Sequence, residues 1–180
     1  MYKSIRTLAC LLACLCFPCQ ADELGNFMSP GLGSSTEQAD ENSSHTLLVL
    51  PDGSGLPPGK ATAAQGQSIY AIHCSACHGS DGKSGINDVL AGGQGTLGGP
   101  RPLRTVGSYW PYATTVFDFV RRAMPYHASG SLSDHELYAV TAYVLYLNAI
   151  VDLDTPVDRE VLVKIVMPNK HGFVWAIPRR

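Results

Sequence analysis

Cys74-Ser75-Ala76-Cys77-His78 is the segment of this sequence whose residue types and spacing can do chemistry. On a helical turn, positions i and i+3 face the same way, so both sulfurs can reach the two vinyl groups along one edge of a haem. His78 then lies beside the second thioether and can place an imidazole nitrogen on iron. C-x-x-C-H is the pattern of covalent c-type haem attachment. Three other readings of two neighbouring thiols compete with it: a thioredoxin-like redox pair, a structural disulfide and half of a zinc site. A redox pair belongs at a strand-to-helix junction, which the flanks of Cys74 do not offer. Zinc needs four ligands, and the sequence holds no second C-x-x-C and no His pair at ligand spacing.

An iron carrying one histidine needs a sixth ligand or an open site. A methionine thioether is the ligand that raises the potential of electron-transfer haems. Beyond the first twenty residues the methionines are Met28, Met124 and Met167. Met124 is the best placed, because it falls in the break between two expected helices and Pro125 fixes the turn that presents its sulfur. Met167 also precedes a proline and is otherwise an apolar staple in the tail, whereas Met28 falls in a segment expected to be flexible. His45, His73, His127, His135 and His171 read as surface residues, with His127 the nearest to a haem edge. Arg101, Arg104, Tyr109, Trp110 and Tyr112 are candidates for the haem pocket, because anionic propionates need donors and amphipathic neighbours.

The elements that must hold these groups are helical. Helical character begins near Thr62 and runs from Ala63 to His73, leading directly into Cys74. From Gly79 to Gly99 the chain is glycine-dense and aperiodic, which predicts a wrapping loop. A second helix starts near Thr114 or Thr115 with Asp118 in its first turn and ends before Met124-Pro125, since the residue preceding proline is pushed out of helical geometry. Ser133-Asp134-His135-Glu136 is a capping box, and Leu137, Val140, Thr141, Val144 and Leu147 recur at helical spacing up to Asn148. A short helical turn is expected near Arg159 to Lys164. Nothing resembles a β-α-β crossover or an internal repeat.

The N-terminal part has another character. Lys3 and Arg6, the apolar run Leu8 to Phe17 and the small residues around Cys19 and Ala21 read as an export signal over residues 1–21, cut after Ala21. The run is too short for a spanning helix. A lipoprotein signal at Leu11-Leu12-Ala13-Cys14 is the competing reading. Four of the six cysteines lie in this segment, so export leaves Cys74 and Cys77 as the pair to be explained in an oxidising compartment. Residues 22–61 read as an extended arm, with an apolar run at Thr46 to Leu50 and turns at Pro51 to Gly59. The haem-bearing domain is expected over 62–150, followed by a tail over 151–180. With 180 residues, 45% of them hydrophobic and 16% charged, the chain suits one compact domain. A net charge of −2 leaves none of the basic surface that nucleic-acid binding requires.

At Cys74 to His78 and Met124-Pro125 the sequence resembles a class I cytochrome c, an all-α fold of three to five helices around one covalent haem. More of it resembles one branch: the cytochrome subunits of periplasmic molybdenum sulfite dehydrogenases and the cytochrome part of the sulfane dehydrogenase of the sulfur-oxidising system. The residues that carry this are Leu50 to Gly59, the run Thr105-Val106-Gly107-Ser108-Tyr109-Trp110-Pro111-Tyr112-Ala113-Thr114-Thr115, Arg121 to Pro125 and Met167-Pro168-Asn169. The resemblance implies that Cys74 and Cys77 carry one haem c and that His78 and Met124 are its axial ligands. It also implies a proline carbonyl, from Pro100 or Pro102, accepting the free N–H of the axial histidine. Sulfane dehydrogenase cytochromes commonly have two haems, and the single C-x-x-C-H here favours the sulfite dehydrogenase type. The expected protein is a periplasmic electron carrier, not an enzyme on its own. It would take electrons from a molybdenum sulfite-oxidising subunit and pass them to a downstream cytochrome or oxidase. The alternatives are a general periplasmic shuttle, or a haem sensor or enzyme with a displaceable sixth ligand.

Overall fold

The computed structural model describes residues 48–174. The expected export signal, the lipoprotein alternative at Cys14, His45 and Met28 lie outside the described residues. Five helices and one two-stranded sheet make up the described part, in the order β1 (Lys60–Ala61), α1 (Ala63–His73), α2 (Ser75–His78), α3 (Ala113–Ala123), α4 (Asp134–Leu147), β2 (Val157–Asp158) and α5 (Arg159–Lys164). The two strands pair antiparallel, Lys60 with Asp158 and Ala61 with Val157. A short 3₁₀ turn at Tyr126–Ala128 links α3 towards α4.

Local chemistry sets the ends of these helices. Thr62 opens α1 with a capping box, its hydroxyl accepting from the Gln65 N–H while the Gln65 side chain accepts from the Thr62 N–H. Ser133 and Glu136 do the same for α4. Asp158 caps α5 by accepting from the Val161 N–H at 3.0 Å. Helix α3 begins at Ala113, one or two residues earlier than the hydroxyl-cap expectation at Thr114 or Thr115, and its N-cap Tyr112 makes no side-chain cap bond. It ends as expected: Met124 is extended (φ −124°, ψ 148°) ahead of Pro125.

Helix α1 crosses α4 at closest range through Gly66. A Cβ there would lie 1.9 Å from the Ala139 carbonyl oxygen and 2.9 Å from the Tyr143 Cβ, so the crossing needs a glycine. Tyr70, one turn further along the same face, is buried, packs at a tilt against Tyr143 (ring centroids 5.1 Å apart) and donates its hydroxyl to the Gly79 carbonyl at 2.9 Å. Helix α3 packs on α4 through Phe117 and Tyr138, both fully buried with ring centroids 4.8 Å apart. Val157, Leu162 and Met167 close the core from the C-terminal side.

Two expectations change here. Asp118 is the sixth residue of α3 rather than part of its first turn, and it is buried. Its carboxylate accepts from the Val49 N–H at 2.9 Å and from both nitrogens of Arg122 that face it. Burial opposes its ionisation, but the Arg122 and Val49 hydrogen bonds outweigh that and hold the carboxyl below its ordinary value. The second change concerns the expected arm over 22–61. From residue 48 on, that arm is fastened to the helices. Val49 is held by Asp118, the Gly55 carbonyl accepts from Arg121 at 3.2 Å, and the Pro57 carbonyl accepts from the Tyr138 hydroxyl at 2.8 Å. Alternation buries Val49 and leaves Leu48 and Leu50 exposed.

Candidate haem site

The two thiols and the imidazole are placed by one sharp junction. Helix α1 ends at Cys74, which is at once its C-cap and the N-cap of α2, so Cys74, Cys77 and His78 occupy a single continuing turn. Backbone bonds from Cys77 and His78 to the Cys74 carbonyl, at 3.1 and 3.0 Å, fix that turn. Gly79 follows at φ +79°, a left-handed conformation that only glycine adopts without strain, and throws the chain back over the turn. Asp81 holds this return loop by accepting from the N–H groups of Lys83 and Ser84 and from the Ser84 hydroxyl. These three bonds keep its carboxyl well down, at about 2. Gly85 then lies so close that a Cβ on it would stand 2.1 Å from the Cys77 carbonyl oxygen.

The imidazole is oriented by the next stretch of chain. His78 Nδ1 is 2.7 Å from the Asp88 carbonyl oxygen. A carbonyl only accepts, so Nδ1 carries a hydrogen, which in the neutral ring leaves the lone pair on Nε2. That is the tautomer of a histidine that ligates through Nε2 with its other nitrogen tied to a backbone oxygen. The partner is not Pro100 or Pro102, as the resemblance implied. Those two prolines lie on an exposed stretch further along the loop, while the Asn87 N–H bond to the Cys77 carbonyl at 2.8 Å brings Asp88 to the ring.

The donor set fits a covalently held haem better than the rival readings. Cys74 and Cys77 are not bonded to each other. Burial, and then the neighbouring Cys77, push the Cys74 thiol up to about 11, the opposite of the lowered thiol that a thioredoxin-like pair uses. Among the described residues no three His, Cys, Asp or Glu side chains gather into a group that could hold a metal ion. Two unpaired thiols on one turn, beside an imidazole tied to a backbone carbonyl through Nδ1 and with Nε2 left for a ligand, are what thioether attachment and iron ligation require.

The other candidates divide. Met124 stands where α3 gives way to extended chain, partly buried against the core. Met167 is 1% exposed and is a core side chain. Trp110 packs edge-on to Phe119 with centroids 5.5 Å apart and touches the core, so it anchors the wrapping loop. Arg101 and Arg104 are exposed, and the Arg104 guanidinium lies 5.6 Å from the Tyr109 ring centre. Tyr109 meets Phe173 edge-on, and its carbonyl accepts from Asn169 at 2.8 Å. Tyr112 is 38% exposed beside α3. The structure thus gathers Cys74, Cys77 and His78 on one turn and puts Arg101 and Arg104 on the solvent side of the loop. His127, His135 and His171 are exposed and His73 is half-buried.

Sequence reasoning passed over two residues. Asp88 acts through its carbonyl, which leaves no mark in side-chain type. Asn148, read only as a helix end, is buried and bonds the wrapping loop; a polar residue closing the apolar second half of α4 is the signal that points to it.

Residues 61–144, which include the C-x-x-C-H turn and Met124, match the family described as Cytochrome C oxidase, cbb3-type, subunit III. A thiosulfate dehydrogenase of Allochromatium vinosum is 37% identical over 103 residues, covering 56% of this chain and 33% of that protein. One of Psychrobacter arcticus is 30% identical over 110 residues, covering 55% and 31%. The chain therefore spans about a third of the length of these curated relatives. A chain in the crystal structure of the sulfane dehydrogenase SoxCD from Paracoccus pantotrophus superposes with a TM-score of 0.71 at 42% identity, covering 81% of this chain and 72% of that one. Likeness of that extent in both sequence and structure places the protein in a family: the chain belongs to the class I cytochromes c, which bind haem c covalently and transfer electrons, and it is related to the cytochromes of sulfur-oxidising dehydrogenases.

Proposed function

We propose that this chain is a periplasmic cytochrome that takes single electrons from a molybdenum-containing, sulfur-oxidising dehydrogenase and passes them to a downstream cytochrome or oxidase. The observation that carries the proposal is the 42% identity to the sulfane dehydrogenase chain over 81% of this one. The single C-x-x-C-H motif argues for one haem, and with it for a sulfite-oxidising partner. Haem c bound here supplies a one-electron couple between ferrous and ferric iron. Cys74 and Cys77 would hold it through thioethers, and His78 and Met124 would ligate its iron. The Nδ1–H bond to the Asp88 carbonyl fixes the His78 ring and raises its basicity as a ligand. The Met124 thioether favours the reduced form and so raises the potential. With His78 and Met124 as its ligands, the iron would have no open position for a substrate. Its contribution is electron transfer, and the oxidation of the sulfur compound belongs to the partner.

The test is to mix the oxidised protein with a purified molybdenum sulfite-oxidising subunit and sulfite in a stopped-flow spectrometer. Haem reduction within the turnover time of the enzyme is expected, and a haem that stays oxidised contradicts the assignment. The thiosulfate dehydrogenase relatives support a second reading, in which the chain itself works on thiosulfate. Thiosulfate added alone distinguishes the two, because the proposal expects no reduction without the partner.

A further inference from the structure

Asn148 closes α4 and is 4% exposed. An amide at such depth is costly unless its groups are paired, and here they are. Its Oδ1 accepts from the Gly92 N–H at 3.0 Å, and its Nδ2 donates to the Leu90 carbonyl at 3.0 Å and to the Val144 carbonyl at 2.9 Å. Its own carbonyl accepts from the Gln94 side chain at 3.1 Å. Gly107 passes so near that a Cβ on it would stand 2.2 Å from Asn148 Oδ1. The Asn148 side-chain amide therefore ties the end of α4 to residues 90 and 92, against the closely packed backbone of residue 107, while its backbone carbonyl holds the Gln94 side chain.

The first of those ties lies two residues from the carbonyl that grips the imidazole. The segment from Asn87 to Leu90 is short and fixed at both ends. Asn87 N–H bonds the Cys77 carbonyl at 2.8 Å, while Leu90 and Ala91 N–H groups bond the Gly82 carbonyl at 2.8 and 3.1 Å. Asp88 lies between these anchors. The Leu90 carbonyl receives a second bond from Val106 N–H at 3.1 Å, so it stands at the junction of the two halves of the wrapping loop.

We infer that Asn148 is a positioning residue for the axial histidine: by clamping Leu90 and Gly92 it sets the place of the Asp88 carbonyl and, through it, the strength of the His78 Nδ1–H bond. This rests on the reading of His78 as an iron ligand, and adds that the last residue of the α4 turn tunes that ligand from the far side of the loop. A weaker Nδ1–H bond makes the imidazole a poorer donor and destabilises the ferric state, so the potential rises as the clamp is lost.

The test compares Asn148→Asp with Gln94→Ala in the haem-loaded, exported protein. Asn148→Asp keeps the acceptor for Gly92 but loses the amide donor to Leu90. Gln94→Ala removes a bond to the same residue's backbone without touching Leu90 or Gly92. Exchange of the His78 Nδ1 hydrogen, read by NMR, is expected to quicken about tenfold in Asn148→Asp, with a higher midpoint potential. Both quantities should remain at wild-type values in Gln94→Ala. Unchanged exchange and potential in an Asn148→Asp protein that has merely lost thermal stability would overturn the inference. Loss of the His78 reading has a separate signature: the unaltered protein would then show no hyperfine-shifted His78 ring signals in its oxidised form. Should Asn148→Asp fail to accumulate, Asn148→Ser gives the same readout with a smaller side chain, and wild-type exchange there overturns the inference equally.

Discussion

Replacing Met124 with alanine is expected to abolish the methionine-to-iron charge-transfer band of the oxidised protein and to lower its midpoint potential by a few tenths of a volt, on the order of a third of the roughly 0.8 V that axial ligands span. The sign follows from the thioether, a soft ligand that stabilises ferrous over ferric iron, so that its removal leaves the reduced form less favoured. Covalent attachment at Cys74 and Cys77 does not depend on Met124, and the variant should still carry haem. The informative comparison is Met167→Ala. Met167 also precedes a proline, but it is 1% exposed in the core. Its removal should cost about 2–5 kcal/mol of stability while leaving the band and the potential in place. An oxidised spectrum that keeps the band in Met124→Ala and loses it in Met167→Ala would reverse the ligand assignment.

Gly66→Ala is the second large effect, and it falls on stability. Alanine is the better helix former by about 1 kcal/mol, so on propensity alone the change would help α1. The crossing decides otherwise. The new Cβ meets a carbonyl oxygen at 1.9 Å, and backbone cannot rotate away as a side-chain tip can. Helix α1 must shift off α4, taking Tyr70 out of its contact with Tyr143, at a cost of about 3 kcal/mol or more. Thermal unfolding should fall by about 10 °C or more. Since α1 runs directly into Cys74, haem loading should fall with it. Gly98→Ala is the matched control, because nothing lies within 4 Å of its Cβ position. A Gly66→Ala protein that melts with the wild type would mean that α1 and α4 do not cross this closely.

Much of this architecture could be read from the residues because the deciding interactions are local. The capping box of Ser133 and Glu136, the stop at Met124-Pro125 and the turn Arg159 to Lys164 each depend on neighbours within four positions, and α1, α4 and α5 fall where the pattern puts them. C-x-x-C-H is likewise complete within five residues. What escaped the sequence depends on contacts between distant segments. Asp118 at the head of a helical pattern looks like a first-turn acid. Only the return of Val49 across α3, 69 residues away in sequence, gives its carboxylate a buried partner. Helix α3 starts within two residues of the expected Thr114 or Thr115, at the buried Ala113 and without a side-chain cap. The histidine's partner was sought among prolines, whereas any residue can present a carbonyl, and the loop anchors at Cys77 and Gly82 happen to present that of Asp88.

The most direct test of the account is the intact mass and pyridine haemochrome spectrum of the purified protein. The account predicts one haem per chain, held by two thioethers, with neither Cys74 nor Cys77 available to a thiol reagent. A chain of unmodified polypeptide mass with Cys74 and Cys77 joined as a disulfide would contradict it.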